Sequence, residues 1–379
     1  MVAWAVTHHD VLKSLLTDPR VSKDPNQHWP AWINGEIPQE WPLFTWVAVS
    51  NMFTAYGSDH KRLRTLVSKA FTARRSAELR PRIEEMTREL LDRLAETPAG
   101  ETADVRAGYA YPIPIQVICE LFGVPERSRE DLHRLMDSIF HTSADPAEVT
   151  ATYTELYALL GDLVAAKTAE PGDDMTSGLI AAREAEGDSR LNETELVDTL
   201  ILMLGAGHET TVNLIHNAIH ALLTHPDQLK LVLTGKASWD DVIDETLRSQ
   251  SPIANLPLRY AAEDIPVGGD PAEGGVVIRK GDPILAGYAA AGRDRATHGE
   301  DADSFDITRP TRGTHLAFGH GVHFCLGAPL ARLEAGIALP ALFDRFPDMA
   351  LAVPSESLEP SESFISNGHN TLPVILRRS

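Results

Sequence analysis

Near its C-terminal end the chain reads HLAFGHGVHFCLGAPLARLE over residues 315–334. Cys325 stands there among Gly319, Gly321 and Gly327, with Phe318 seven positions before it. A helical pattern follows, and Pro329 suits the first turn of that helix. The thiol is therefore placed at a helix N-terminus, where free backbone N–H groups and the helix dipole favour an anion. A thiolate is the form that ligates metal, and glycines let a flat group approach the backbone closely. The plainer reading is a structural cysteine beside a turn. Zinc on His320, His323 and Cys325 is a third, and it lacks a fourth ligand at conventional spacing.

Other residues are chemically out of place. Ala206-Gly207-His208-Glu209-Thr210-Thr211 sets an acid and hydroxyls inside an apolar helical run. Burying them is unfavourable unless they are hydrogen-bonded. Thr210 can bond back to its own helix, and Glu209 can pair with a distant arginine. Packing is the default reading for His208. Glu245 and Arg248 lie three apart, on one helix face. His60 and Arg64 lie four apart on an early helix, and they, Arg259 and His323 each read singly as an exposed basic residue.

The elements that must position these groups are mostly helical. Residues 59–75 and 77–95 carry apolar side chains at helical spacing. The longest candidate, 192–224, opens with a capping box, Asn192 and Glu195, and ends before Pro226. At about 48 Å it crosses a whole domain. Between 252 and 315 proline and glycine become frequent, and Val276–Ile278 and Ile284–Ala286 read as strands. The pattern predicts one mainly α domain with small β-sheets.

Composition excludes several functions. Of 379 residues, 43% are hydrophobic and 23% charged, ordinary for a globular protein. No apolar stretch reaches the roughly 18 residues of a membrane span, and the N-terminus lacks a secretory pattern. Two cysteines make no disulfide framework and suit a reducing cytoplasm. A formal charge of −20 opposes nucleic-acid binding.

The run Phe318 to Gly327 resembles the heme-binding signature of the cytochrome P450 family, F-x-x-G-x-x-x-C-x-G, matching at Phe318, Gly321, Cys325 and Gly327. Residues 206–211 are similar to that family's oxygen-activation motif, and Glu245 with Arg248 to its E-x-x-R, with Arg309 as the arginine completing a buried network. The likeness covers nearly the whole chain and is nearest to soluble bacterial members. It implies one domain over residues 1–379 that begins inside the family's first sheet, at Trp4–Thr7, without the usual N-terminal helix and first strand.

The resemblance also implies chemistry. Heme b, iron protoporphyrin IX, would lie between the long helix and the cysteine loop, with Cys325 on its iron. Its propionates would meet His60, Arg64, Arg259 and His323. Thr210 would hydrogen-bond dioxygen, and Glu209 would supply protons through water. The implied activity is an oxidoreductase, a monooxygenase inserting one oxygen atom from O2 into a hydrophobic molecule of steroid, polyketide or aromatic type. Electrons would come from a ferredoxin and its NAD(P)H-dependent reductase, docking near Lys61, Arg62, Arg74 and Arg75. The substrate would be lined by residues 30–57 and 135–165, the long helix near Leu204, Ile253–Leu256 and Phe364–Ile365. Two alternatives stand beside this: the same heme site driving peroxide-dependent oxidation or an internal rearrangement, and a cofactor-free helical binding protein.

Overall fold

The computed structural model describes residues 2–71, 78–140, 145–184, 191–269 and 275–377. The chain starts with β1 (Trp4–Val6), α1 (His9–Thr17) and β2 (Val21–Ser22), then short helices between 25 and 48. A helical body follows: α2 (Gly57–Ala70), α3 (Arg80–Ala95), α4 (Pro112–Leu121), α5 (Glu126–Phe140), α6 (Pro146–Ala169), α7 (Met175–Glu184), α8 (Glu193–Thr224), α9 (Pro226–Leu233) and α10 (Trp239–Ser249). Strand β3 (Thr102–Asp104) lies between α3 and α4. Strands β4 (Asn255–Leu256), β5 (Tyr260–Ala261), β6 (Ile265–Val267), β7 (Val276–Ile278) and β8 (Ile284–Gly287) come next. Last are α11 (Ala328–Arg345), β9 (Ala350–Leu351) and β10 (Pro373–Ile375). Mainly helical with small sheets is what the pattern predicted, and α8 starts one residue later than predicted and ends at the predicted Thr224.

Among the described residues four small sheets brace this body. β8 runs parallel to β1, Trp4 opposite Ile284, and antiparallel to β4. β10 sits between β3 and β9. β2 pairs with β5, and β6 with β7.

The α8 helix is the axis. Its capping box forms as spaced: Glu195 N–H donates to Asn192 Oδ1 at 2.8 Å, and Asn192 N–H to Glu195 Oε2 at 2.9 Å. Helices α4, α10 and α11 pack on it, so its apolar residues are buried all round. Gly207 is there for close approach: a Cβ would stand 2.8 Å from Ile118 Cδ1 of α4.

A buried ion network fixes the segment before the cysteine loop. Glu245 and Arg248 are fully buried and bidentate, at 2.6 and 2.7 Å. Arg248 also donates to the carbonyls of Gly292, Ala302 and Ser304. The backbone N–H of Asp306 donates to Glu245 Oε1 at 2.8 Å, with Arg309 Nε 3.6 Å from the same oxygen. With its donors and acceptors met, such a pair can remain charged in the interior. The residue before Glu245 in α10, Asp244, accepts from Arg332 at 2.5 Å, and that guanidinium lies 5.5 Å from the Phe318 ring. The network ties α10 to both ends of the cysteine loop.

Candidate heme site

Between α8 and the loop before α11 lies a cavity with about 1330 Å³ of atom-free space, mouth included. Of the predicted site residues, Arg64, Thr210, Arg259, His323 and Cys325 line it. His60 lies just behind His323, ring centroids 3.9 Å apart.

Cys325 owes its position to backbone conformation. Gly319 and Gly321 take φ of +72° and +74°, the left-handed region. At Gly321 a Cβ would also meet the Leu16 carbonyl at 2.7 Å. Cys325 N–H donates to Phe318 O at 2.8 Å, closing the loop. The thiol's surface faces the cavity, not bulk solvent. Burial pushes its pKa up, opposed by the N–H groups of Gly327 and Ala328 and by Arg64. These are the helix-start donors that the sequence placed there. The other cysteine, Cys119, is buried, and burial pushes its thiol up to about 11.

On one side of the cavity cations gather with little to balance them. Arg64 donates to Phe324 O at 2.7 Å, and Arg259 to Tyr288 Oη at 2.9 Å. His60 Nε2 and Arg259 Nη1 are buried without a partner. Burial, with Arg64 and Lys23 nearby, lowers His60 to about 4; burial and the same cations hold His323 well below its ordinary range. Buried donors without partners, crowded by Lys23, Arg64 and Arg259, mark a place for an anion.

Lys23 belongs to this group, and sequence reasoning missed it. It is 2% exposed, lines the cavity, and holds Nζ 3.3 Å from the centre of the Phe53 ring. Burial and then Arg259 depress its pKa well below the usual lysine range. The β2–β5 register explains the neighbour: Val21 faces Ala261 and Ser22 faces Tyr260, so the next step sets Lys23 against Arg259. Leu258, just before, holds φ at +71° while packed with Trp29, Val47 and Tyr260. Only that register could have revealed Lys23.

Across the cavity, Ala206, Gly207, Thr210, Thr211 and Leu214 of α8 form the wall. Thr210 Oγ1 donates to Ala206 O at 2.7 Å, leaving its lone pairs free to accept. Glu209 is not in that wall. Its carboxylate pairs with Arg106 at 3.2 Å and accepts from Asn213 Nδ2 at 3.0 Å. The structure thus supplies the distant arginine. Burial still raises the Glu209 pKa, against the opposing pull of Arg106. Asp137, His208 and Glu209 bring donor atoms within 4.8 Å of one another; Arg106 already supplies positive charge there. His208 is buried with Tyr111 edge-on at 4.5 Å. No metal-ligand cluster of His320, His323 and Cys325 occurs among the described residues.

Several other expectations shift. Of 30–57, Met52 and Phe53 line the cavity; none of 135–165 does among the described residues. Ile253 and Leu256 do, and Phe364 lines a second cavity beside Trp29 and Trp41. The long helix near Leu204 does line the first cavity, through Leu202 and Met203, while Leu204 itself is fully buried. Arg62 is not a free surface cation: Glu195 at 2.5 Å and Asp59 at 3.3 Å engage it. Lys61 is exposed, and Arg74 and Arg75 lie outside the described residues.

The cytochrome P450 family model matches residues 162–232 and 239–364. The chain belongs to the cytochrome P450 family. It is 47% identical to 2-hydroxy-5-methyl-1-naphthoate 7-hydroxylase of Streptomyces carzinostaticus, over 100% of this chain and 90% of that one. Among solved structures, CYP154A1 from Streptomyces coelicolor A3(2) superposes with a TM-score of 0.92 at 55% identity, over 99% of this chain and 92% of that one. "Testerone bound CYP154C4" from Streptomyces sp. ATCC 11861 gives 0.93 at 46%, over 99% and 90%. This P450 is accordingly an oxidoreductase, a monooxygenase binding heme b. The site suits that group: a thiol at a donor-rich helix start, and unpartnered buried cations for two propionates. No helix among the described residues is long and apolar enough to cross a membrane.

Proposed function

We propose that this P450 is one domain over residues 1–379 that oxidises a hydrophobic small molecule of steroid, polyketide or aromatic type in the cytoplasm, using electrons from a ferredoxin and its NAD(P)H-dependent reductase. The thiol of Cys325, opening into the cavity opposite Thr210, carries this reading. Cys325 holds the heme iron, and His60, Arg64, Arg259, His323 and Lys23 hold the propionates. Bound there, the heme supplies oxygen activation, the thiolate's electron donation favouring O–O cleavage.

The protein's part is placement and proton control. Gly327 and Ala328 N–H groups hold charge on the sulfur. Thr210 Oγ1, within reach of both the cavity and Ala206 O, accepts or passes a proton at the wall. Glu209, kept easier to protonate than a free acid by burial, stores one behind it. The substrate class rests on the apolar wall of Met52, Phe53, Phe71, Leu202, Met203 and Leu214. It also rests on relatives described as acting on a naphthoate and as binding "testerone". A reduced, carbonyl-bound spectrum with a thiolate-type Soret band tests the ligand assignment. Ligands that shift the ferric spin state then report the substrate. Turnover with NADPH, ferredoxin and reductase, against turnover with peroxide, tests the electron source; turnover with peroxide alone would overturn it.

A further inference from the structure

Along one face of α8, Glu209, Asn213, His216 and His220 recur at i, i+4, i+7 and i+11, a single stripe. A helix buried this deeply is ordinarily apolar on every side, and each unmet polar group in it is unfavourable. Yet Glu209, Asn213 and His216 are 7%, 0% and 0% exposed. Both ends of the stripe are joined. Asn213 Nδ2 donates to Glu209 Oε1 at 3.0 Å. His216 Nε2 and His369 Nδ1 lie 3.0 Å apart; the His369 and His220 ring centroids are separated by 5.0 Å; His220 Nε2 and Ser355 Oγ are within 2.8 Å. His220, His369 and Ser355 are half-buried, so this end reaches the protein's margin. At 1.5 Å per residue the stripe spans about 16 Å.

In its middle, Asn213 Oδ1 and His216 Nδ1 have no protein partner. They stand one turn apart on the same face, a polar setting in which buried water bridges groups. Burial and neighbouring His369, Arg106 and His220 hold His216 well below its ordinary pKa; burial lowers His220 to about 4 and also lowers His369. These imidazoles are neutral near pH 7. A neutral imidazole offers a donor on one nitrogen and an acceptor on the other.

We propose that protons reach the Glu209 carboxyl from behind α8, along Ser355, His220, His369 and His216 and then through water bridging His216 Nδ1 and Asn213 Oδ1 to that carboxyl, and not through the substrate cavity. Each imidazole accepts a proton on one nitrogen, releases one from the other and returns by tautomer exchange. One proton enters from solvent at Ser355, one arrives on the Glu209 carboxylate, and no electron moves. The groups facing that carboxylate are Arg106, Asp137, His208, Tyr111 and Asn213. The inference rests on Glu209 being the proton store proposed above.

The test needs no turnover. In the ferric resting enzyme, below the raised pKa of Glu209, the infrared carbonyl band lost in Glu209→Gln is followed after transfer to D2O. Deuteration of that band is expected to slow by about a hundredfold in His216→Phe, the low end of what a positioned proton-transfer group contributes. His216→Gln restores the hydrogen bonds but passes no proton, and should slow equally; rescue by Gln would mean a structural role and overturn the proposal. His369→Leu, on a half-buried loop, gives the same reading should His216→Phe not fold. Deuteration unaffected by these variants, yet slowed by a ligand filling the cavity, would overturn the route. If Glu209→Gln leaves the coupling of electrons to product unchanged while the exchange effects hold, the path stands and the catalytic role of Glu209 falls.

Discussion

Replacing Lys23 by methionine should move stability in opposite directions in the two forms of the protein. In the heme-free chain Lys23 is buried beside Arg259, with His60, His323 and Arg64 close by, and no carboxylate among the described residues pairs with it. Methionine keeps the stem against Phe53 and removes the charge, so the heme-free protein should melt higher. In the heme-loaded protein the same change removes a hydrogen bond to a charged group, about 1.5–3 kcal/mol. Heme transfer to an acceptor protein should then be favoured roughly 10- to 150-fold over wild type. Thermal melts of both forms, with the transfer equilibrium, measure the two effects. A fall in both melting temperatures would refute the reasoning, as would unchanged heme retention. Proton linkage supplies a second reading. His60 sits at about 4 without the heme, and two carboxylates raise it. Loading also frees the Cys325 thiol proton as its thiolate takes the iron, so the His60 contribution is read against His60→Gln: wild type should take up more protons, or release fewer, than that variant. That contribution to heme affinity is fully present below about 4 and is lost as pH rises through the loaded value. An indicator dye in weak buffer compares the two proteins; equal proton counts would refute the anion-cradle account.

Other substitutions probe separate parts. Gly321→Ala forces a left-handed angle, about 1–2 kcal/mol, and drives a Cβ into the Leu16 carbonyl; denaturant unfolding should fall by more than the angle alone, and the carbonyl-bound Soret band should lose thiolate character. Arg248→Met strips buried Glu245 of its bidentate partner and leaves it the Asp306 N–H and the more distant Arg309, which should cost up to about 3–5 kcal/mol, read as a lower denaturation midpoint. Glu334 is fully buried and raised by burial to about 8. Its penalty is absent below about 4.5 and grows as pH rises to about 8, reaching on the order of 5 kcal/mol at about 1.4 kcal/mol per unit. Glu334→Gln should therefore stabilise the protein at pH 8 and leave it unchanged near pH 4.5; equal stability at both would contradict the assignment. Thr210→Ala should retain heme and divert reducing equivalents to peroxide, and unchanged coupling would remove Thr210 from the proton path.

The cysteine loop, the capped central helix and the Glu245–Arg248 pair were legible in the sequence because their causes are local. Left-handed angles need Gly319 and Gly321, the helix start needs donors next to Cys325, and the box needs Asn192 three residues before Glu195. Periodicity likewise exposed α8 and the strands after 276. Tertiary structure decided what depends on distant segments meeting. A lone lysine in the run Val21-Ser22-Lys23-Asp24 carries no periodic mark; only the pairing of β2 with β5 sets it against Arg259 and into the cavity. The sequence offered Glu209 a distant arginine without saying which; a helix turns about 100° per residue, so Thr210 takes the wall and Glu209 turns toward Arg106. Arg62 looked free until the α8 cap brought Glu195 to it. Spacing along the chain fixes which groups share an element and a face; what each face meets is set by packing between elements far apart in sequence.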